Sequence, residues 1–242
     1  MHYLSILAIL KNEAMNLKVW IDHYLWQGVD HLYLIDNGST DDSVTIIQSL
    51  ISQGYPITLY ELPEKHKQLD HYHYVYDREN IRQNSKWLAV IDLDEFIYCH
   101  NSTMKNELQK YEHIDYIGMR WRFFGTNGYD KHPSDIRIAL TTRKENMESG
   151  GKYIFQPKNV ESQYITVHYL LGGYSRWVDL SEIFRLNHYV IQSKEFFEKV
   201  KMTRGDASGE CAEYIRDWKY FEEYNKNTTY MDEDLKNMVL NK

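Results

Sequence analysis

The chain has 242 residues, of which 43% are apolar and 26% charged, an ordinary composition for a soluble protein with room for one large α/β domain. The formal net charge of −7 leaves no basic footprint, so a nucleic-acid partner is not expected. The two cysteines, Cys99 and Cys211, have neither the spacing of a metal site nor the number needed for a disulfide framework.

The first ninety or so residues alternate between strand and helix patterns. Four apolar, β-prone runs predict strands at residues 4–10, 31–35, 57–60 and 87–91. Three stretches with apolar residues at helical spacing predict helices at residues 17–25, 44–51 and 66–85. A repeated β-α-β order predicts a doubly wound, mostly parallel sheet.

The N-terminal apolar run gives no sign of a membrane span. Residues 3–10 are too few to cross a bilayer, and Lys11-Asn12-Glu13 follows at once. We therefore expect no transmembrane segment and a cytoplasmic location.

Polar clusters follow three of the predicted strands: Lys11-Asn12-Glu13, residues 36–42 and residues 92–95. Ligands of such sheets bind beyond the carboxyl ends of the strands, where these clusters should converge. Asp92 and Asp94, one residue apart at a strand end, can hold a hard divalent cation, which can in turn hold a diphosphate. This suggests an enzyme that uses a nucleotide-activated donor. The alternative is that these acids cap a helix or are simply solvated.

The second half of the chain is less regular. Strands are predicted at residues 116–124, 152–155, 164–167 and 184–190, and helices from 193, over 210–225 and from 232. We expect one domain over 1–242, with a nucleotide-binding half (1–100), an acceptor-binding half (101–205) and a helical tail (206–242).

Short motifs run in order from about residue 4 to residue 205. They are Lys11-Asn12-Glu13, Gly28-Val29-Asp30-His31, Asp36-Asn37-Gly38-Ser39-Thr40-Asp41, residues 87–96, Trp121-Arg122-Phe123-Phe124-Gly125, Lys152-Tyr153-Ile154-Phe155-Gln156-Pro157, Asn187-His188-Tyr189, residues 193–197 and Arg204-Gly205. In this order the chain resembles the GT-A glycosyltransferases, specifically the family 92 and family-2-like group. The resemblance implies a GT-A fold: a doubly wound, mostly parallel α/β sheet with a smaller, mixed acceptor-binding half.

The resemblance also implies metal-dependent, inverting transfer of a sugar from a nucleotide-sugar, with a UDP-sugar as the expected donor, to a glycan or glycoconjugate hydroxyl. The expected cofactor is Mn²⁺ or Mg²⁺. Asp94 is the first candidate ligand. Asp92 is expected to contact either the donor ribose or, through a water molecule, the metal. His188 is the candidate third ligand, with His168 as its rival. Glu95 is expected to orient the loop.

The expected donor-binding residues lie at the strand ends and on two helices: Asn12, Glu13, Asp36, Asn37, Arg78, Asp92 and Lys194. Asp36 occupies the position of the family's uracil-reading acid, and Lys194 could meet the diphosphate as a point charge. Helix capping, turn formation or plain solvation is the competing role for Asn12, Glu13, Asp36 and Arg78.

An inverting enzyme needs a carboxylate that deprotonates the acceptor hydroxyl. The usual family-2 Glu-Asp motif is absent in clean form. Asp130 and Asp135, in the loop after Gly128, are the candidate catalytic bases, and Asp179 and Glu182 are weaker alternatives.

Two other functions stay open. A nucleotidyltransferase of similar fold would need a glycine-rich phosphate loop after the first strand, where this chain has Lys11-Asn12-Glu13. A catalytically inactive glycan-binding module would not need the Asp92/Asp94 pair, although only metal dependence separates it from an enzyme.

Overall fold

The computed structural model describes residues 1–205 and 215–242. The strands are β1 (His2–Leu10), β2 (His31–Asp36), β3 (Ile57–Glu61), β4 (Ser85–Val90), β5 (Glu95–Cys99), β6 (Tyr116–Phe123), β7 (Thr142–Arg143), β8 (Gly151–Phe155), β9 (Trp177–Asp179), β10 (Phe184–His188) and β11 (Tyr230–Met231). The α-helices are α1 (Leu17–Trp26), α2 (Ser43–Ser52), α3 (Gln68–Arg78), α4 (Ile81–Asn84), α5 (Met104–Leu108), α6 (Ile136–Ala139), α7 (Lys194–Phe196), α8 (Trp218–Asn225) and α9 (Asp234–Leu240). The 3₁₀ helices are Gln109–Tyr111, Pro157–Asn159 and Ser162–Tyr164, and a π-helical turn, Phe197–Lys201, continues α7.

One large sheet dominates the described residues, in the strand order β3-β2-β1-β4-β8-β6-β10-β5, with β9 beside the start of β6. The first four strands in this order, β3-β2-β1-β4, are parallel to one another. In the second half, β8 runs antiparallel to both β4 and β6, β10 runs parallel to β6, and β5 runs antiparallel to β10. The predicted α/β class, with a parallel first half and a smaller mixed half, is confirmed.

Helices cover both faces of the parallel half. Successive side chains of a strand point to opposite faces. Ile6 and Ala8 of β1 therefore join the core cluster that contains Trp20 of α1, whereas Leu7 between them joins the cluster that contains Tyr72 of α3. All of these side chains are fully buried. This alternation is the doubly wound arrangement predicted from the β-α-β pattern.

Two predicted elements differ from the structure. The predicted helix at 66–85 is two helices, α3 and α4, because Asn80 between them has a left-handed backbone (φ 48°) that a continuous helix cannot accommodate. The predicted strand at 164–167 is wrong, since the chain there leaves the 3₁₀ helix Ser162–Tyr164 and turns back at Tyr169, whose carbonyl accepts from the Thr166 amide.

The C-terminal region is described only in part. The helix predicted at 210–225 is confirmed only from Trp218, where α8 begins after its cap Asp217, while residues 210–214, with Cys211, lie outside the described residues. The last predicted helix is confirmed as α9. Cys99 is buried and forms no disulfide. None of the helices in the described ranges is long and apolar enough to cross a membrane.

Candidate active site

A cleft of about 1000 Å³ lies at the carboxyl edge of the parallel half. The ends of three strands supply polar lining residues: Lys11 and Glu13 after β1, Asn37 after β2, and Asp92 and Asp94 after β4. In parallel sheets this edge is the usual ligand site. The three polar strand ends therefore meet in this cleft, as the sequence predicted.

Glu95 orients the loop that carries the two aspartates. Its side chain is fully buried. One carboxylate oxygen accepts from the Asp92 amide at 2.9 Å, and the other accepts from Nε1 of Trp121 at 2.6 Å. Burial raises the pKa of Glu95 to about 7, although the nearby Lys152 ammonium opposes the shift. The expectation that Glu95 fixes the loop agrees with these contacts.

Lys152, at the start of β8, has a side chain with no exposed surface. Its Nζ lies 2.8 Å from Oδ2 of Asp92 and 3.7 Å from Oε2 of Glu95, and it donates to the Val167 carbonyl at 2.9 Å. Burial disfavours the ammonium, but the two carboxylates outweigh it and raise the pKa of Lys152. Lys152 thus ties the Asp92 loop to the turn on the opposite wall of the cleft.

Asp94 has two cationic or potentially cationic neighbours. Lys201, at the end of the π-helical turn, places Nζ 2.6 Å from Oδ2 of Asp94, and His188 places Nε2 3.3 Å from Oδ1. His188 pairs with Glu95 in the β10–β5 ladder, which brings it beside Asp94. Burial favours the neutral acid, but Lys201 and then His188 overcome it and hold the pKa of Asp94 well below its usual range.

Asp94 and His188 could supply two of the ligands of a divalent-metal site. Two ligands at about 2.1 Å from one octahedral ion lie about 3 Å apart, close to the 3.3 Å between Oδ1 of Asp94 and Nε2 of His188. Asp92 is less available, because Lys152 neutralises its Oδ2. Across residues 1–205 and 215–242, no cluster of three or more His, Cys, Asp or Glu side chains forms a complete metal site. A bound ion would therefore need further ligands from the substrate or from water.

Arg204 closes one end of the cleft against the first strand. Its guanidinium pairs with the Glu13 carboxylate and donates to the carbonyl of Lys11. Burial raises the pKa of Glu13, and Arg204 opposes that rise. Glu13, one of the expected donor-binding residues, thus lines the cleft while the guanidinium of Arg204 balances its charge.

Two other expected donor-binding residues hold a turn. Asn12 accepts from the Thr40 amide through its side-chain oxygen at 2.7 Å, and Oδ2 of Asp36 accepts from the amides of Gly38 and Ser39 at 3.0 Å each. Neither side chain lines the cleft as the structure describes it. These contacts match the alternative role of turn formation, and the donor-binding roles of Asn12 and Asp36 stay predictions.

Arg78 and Lys194 also lie away from the cleft. The lining includes Gln68 at the start of α3, whereas Arg78 is an exposed residue ten positions later, about 15 Å along the helix. Lys194 pairs with Asp130 at 2.6 Å, and both side chains are more than half exposed.

The candidate bases are likewise outside the cleft lining. Asp130 is held at the surface by Lys194. Asp135 caps α6, where Oδ1 accepts from the Arg137 amide at 2.9 Å, and it also pairs with the Arg137 guanidinium. Their catalytic role stays a prediction that this geometry does not support directly.

The two histidine rivals both line the cleft, at different places. His188 faces Asp94, whereas His168 packs edge-on against Trp121 at 5.2 Å between ring centroids. Trp121 itself has two contacts that matter here. Its indole N–H donates to Glu95, and its side chain lines the cleft.

Sequence reasoning missed Lys152 and Lys201 as site residues. Lys152 was named only as the first residue of the motif Lys152-Tyr153-Ile154-Phe155-Gln156-Pro157, without a role, and Lys201 follows the apolar residues Phe197 and Val200. A lysine within a buried pattern implies a buried counter-charge. The sequence, however, does not say which carboxylate supplies it.

Comparison with known proteins identifies the family of this chain. A family model described as glycosyltransferase family 92 matches residues 5–239. A glycosyltransferase family 92 protein of Oryza sativa subsp. japonica is 27% identical over 226 residues, covering 90% of this chain and 37% of that protein. One from Arabidopsis thaliana is 26% identical over 234 residues, covering 90% and 39%. This chain thus spans about two fifths of the length of these relatives.

Solved structures give looser matches. S. aureus TarS 1-349 in complex with UDP has a TM-score of 0.47 and 15% identity, covering 83% of this chain and 63% of that one. GalNAc-T7 with UDP, GalNAc and Mn²⁺ has a TM-score of 0.45 and 10% identity, covering 78% and 43%.

Proposed function

Because the chain belongs to glycosyltransferase family 92, we propose that it transfers a sugar from a nucleotide-sugar donor, with a UDP-sugar as the first candidate, to a hydroxyl group of a glycan acceptor. The observation that carries this proposal is the contact of Asp94 with His188 in the cleft beyond the parallel strands. A nucleotide-sugar enzyme needs a diphosphate site at this edge of the sheet.

Asp94 and His188 would hold the divalent cation, Mn²⁺ or Mg²⁺. When bound, that cation supplies positive charge for the leaving nucleoside diphosphate. Asp94 is suited to this role because its carboxylate stays ionised over the whole physiological range, given its lowered pKa. Glu95 and Lys152 act indirectly, since they fix the loop on which Asp94 lies.

The cleft has room for a donor and part of an acceptor. Ligand pockets typically enclose about 300–1,000 Å³, and this cleft lies at the upper end with about 1000 Å³. Trp121 and Tyr169 contribute aromatic surface to its lining, on which sugar rings can stack. Direct displacement with inversion is the mechanism that we propose, with the base unassigned among the carboxylates.

Calorimetric titration tests the proposal. UDP, GDP, CDP and ADP are titrated with and without Mn²⁺ into the wild type, Asp94→Asn and the surface control Asp22→Asn. Asp22 pairs with Lys18 on the exposed side of α1. We expect Mn²⁺-dependent binding of one nucleotide to the wild type and the control, and its loss in Asp94→Asn.

The outcomes separate the competing functions. A folded wild type that binds none of the four nucleotides would contradict the transferase proposal and favour a glycan-binding module. Nucleotide binding without hydrolysis or transfer of the matching nucleotide-sugar, over a panel of glycan acceptors, would point the same way. The folded state of each variant is checked by its thermal unfolding.

A further inference from the structure

Lys201 occupies an unusual place for a lysine. Its side chain is 5% exposed, lines the cleft, and ends 2.6 Å from Oδ2 of Asp94. It closes a π-helical turn, Phe197–Lys201, a rare backbone form that is often found at functional sites. A buried ion pair of this kind is weak evidence for stability, since the desolvation of both charges offsets much of their attraction. Its place in the cleft suggests another role.

The ion pair between Lys201 and Asp94 occupies one carboxylate oxygen of Asp94, the candidate metal ligand. Asp94 keeps Oδ1 toward His188, but its Oδ2 is neutralised by the ammonium. A divalent cation that approaches Asp94 therefore meets a positive charge within a few ångströms. Lys201 and the cation compete for the same carboxylate.

Lys201 has a second possible partner once a donor enters. An ammonium has three donors on a flexible four-carbon stem, and the bond to Asp94 uses one of them. A divalent cation and a diphosphate diester have equal and opposite charges, so Asp94 and Lys201 remain matched in charge after both have entered. Arg204, three residues further on, lines the same wall and is anchored by Glu13.

We propose that Lys201 is an exchangeable counter-ion, which neutralises Asp94 in the empty cleft and moves onto the donor diphosphate when a divalent cation takes Asp94. This inference rests on the proposed function, because it needs a diphosphate in the cleft. It assigns to Lys201 the diphosphate contact that the sequence suggested for Lys194. Lys194 instead pairs with Asp130 at the surface.

The exchange predicts effects of opposite sign from one substitution. Lys201→Gln removes the competitor, so Mn²⁺ alone should bind several-fold more tightly. The same change removes a charged hydrogen bond to the diphosphate, so UDP in the presence of Mn²⁺ should bind about tenfold more weakly. Lys201→Arg keeps the charge, so its affinities for Mn²⁺ and for UDP should change less than those of Lys201→Gln. If Lys201 had only a structural role, its substitution would not increase the affinity for Mn²⁺.

Isothermal titration measures both affinities, first with Mn²⁺ alone and then with UDP at saturating Mn²⁺, or with whichever nucleotide the wild type binds. Lys199→Gln is the matched control, since Lys199 lies on the same turn but pairs with Glu195 at the surface. Thermal unfolding confirms that each variant is folded. If Lys201→Gln is unstable, Lys201→Met keeps the stem volume and removes the charge.

The results distinguish the two proposals. If the wild type binds no nucleoside diphosphate, the proposed function fails. If it binds one and the Lys201→Gln variant binds Mn²⁺ no more tightly than the wild type, the exchange is overturned while the function stands. The exchange is equally overturned if nucleotide affinity is unchanged in that variant. Tighter Mn²⁺ binding together with weaker nucleotide binding supports it.

Discussion

At the scale of single residues, the two histidines in the cleft can be told apart by what they face. Nε2 of His188 lies 3.3 Å from Asp94, and the rings of both histidines pack against Trp121, at 5.3 Å between centroids for His188 and 5.2 Å for His168. We expect His188→Ala to weaken Mn²⁺-dependent nucleotide binding by at least about tenfold, the size of effect seen even for groups that only support metal ligands. His168→Ala should have a smaller effect.

Titration of the nucleotide into both variants at fixed Mn²⁺ checks this expectation. A larger loss in His168→Ala than in His188→Ala would assign the metal to the rival histidine. Equal, small losses would mean that neither histidine is a ligand.

His23, which does not line the cleft, makes the protein sensitive to acid. It is fully buried on α1, and its Nε2 donates to the Ile97 carbonyl at 2.8 Å, whereas its Nδ1 is buried with no hydrogen-bond partner among the described residues. Burial lowers the pKa of His23 to about 3. The unfolded chain therefore binds a proton that the folded chain does not, between its ordinary pKa of about 6.5 and about 3.

We expect this one group to lower the free energy of unfolding by about 1.4 kcal/mol per pH unit as the pH falls through that window. His23→Gln can keep a donor but cannot titrate, so its stability should fall less steeply with acid. Urea unfolding at several pH values measures the slopes. His113→Gln, at an exposed position, should keep the wild-type slope; if both variants do, His23 is not the titrating group.

The sequence predicted the acidic residues of the site better than the lysines that pair with them. The strand-end position of Asp92 and Asp94 could be inferred from local sequence alone, and Glu95 behaves as expected. Their cations come from elsewhere in the chain: Lys152 about sixty residues later and Lys201 over a hundred. Which lysine reaches which carboxylate depends on strand order, and local sequence patterns do not contain strand order.

At the scale of elements, the first residue of β8 has no room for a side chain. A Cβ on Gly151 would lie 1.8 Å from the Met119 carbonyl oxygen of the neighbouring β6. We therefore expect Gly151→Ala to separate the ends of β8 and β6 and to cost several kcal/mol of stability, at the upper end for single substitutions. Because Lys152 follows directly, metal-dependent nucleotide binding should weaken as well.

Gly118→Ala is the control within the same ladder. Its added Cβ would meet Tyr116 at 3.7 Å, an ordinary contact. Denaturant unfolding of both variants compares the two sites. A loss in Gly118→Ala as large as that in Gly151→Ala would show that any added methyl group disturbs β6, rather than the close approach of the two strands.

The elements themselves were predicted best where the pattern was periodic. The strands and helices of the parallel half, β1 to β4 and α1 to α3, appear at nearly the expected positions. β5 was missed because it begins with Glu95, a buried acid that reads as the end of a polar loop. The break at Asn80 was missed because its left-handed backbone leaves no clear mark in a helical pattern.

At the scale of the whole molecule, the family inferred from ordered motifs is confirmed by the family model over residues 5–239. Three of these motifs lie where β1, β2 and β4 end and the sheet edge builds its site, whereas Gly28-Val29-Asp30-His31 lies at the opposite end of β2. The division into two halves and a tail remains a prediction, and one sheet crosses the proposed boundary, since β4 of the first half pairs with β8 of the second.

The contact of Arg204 with Lys11 and Glu13 spans more than 190 positions of the chain. Such remote contacts give a fold a high contact order, which slows its formation. During synthesis β1 leaves the ribosome about 190 residues before Arg204, so this wall of the cleft cannot be completed until Arg204 has followed. Any affinity of the cleft for a ligand should therefore arise only after that contact has formed.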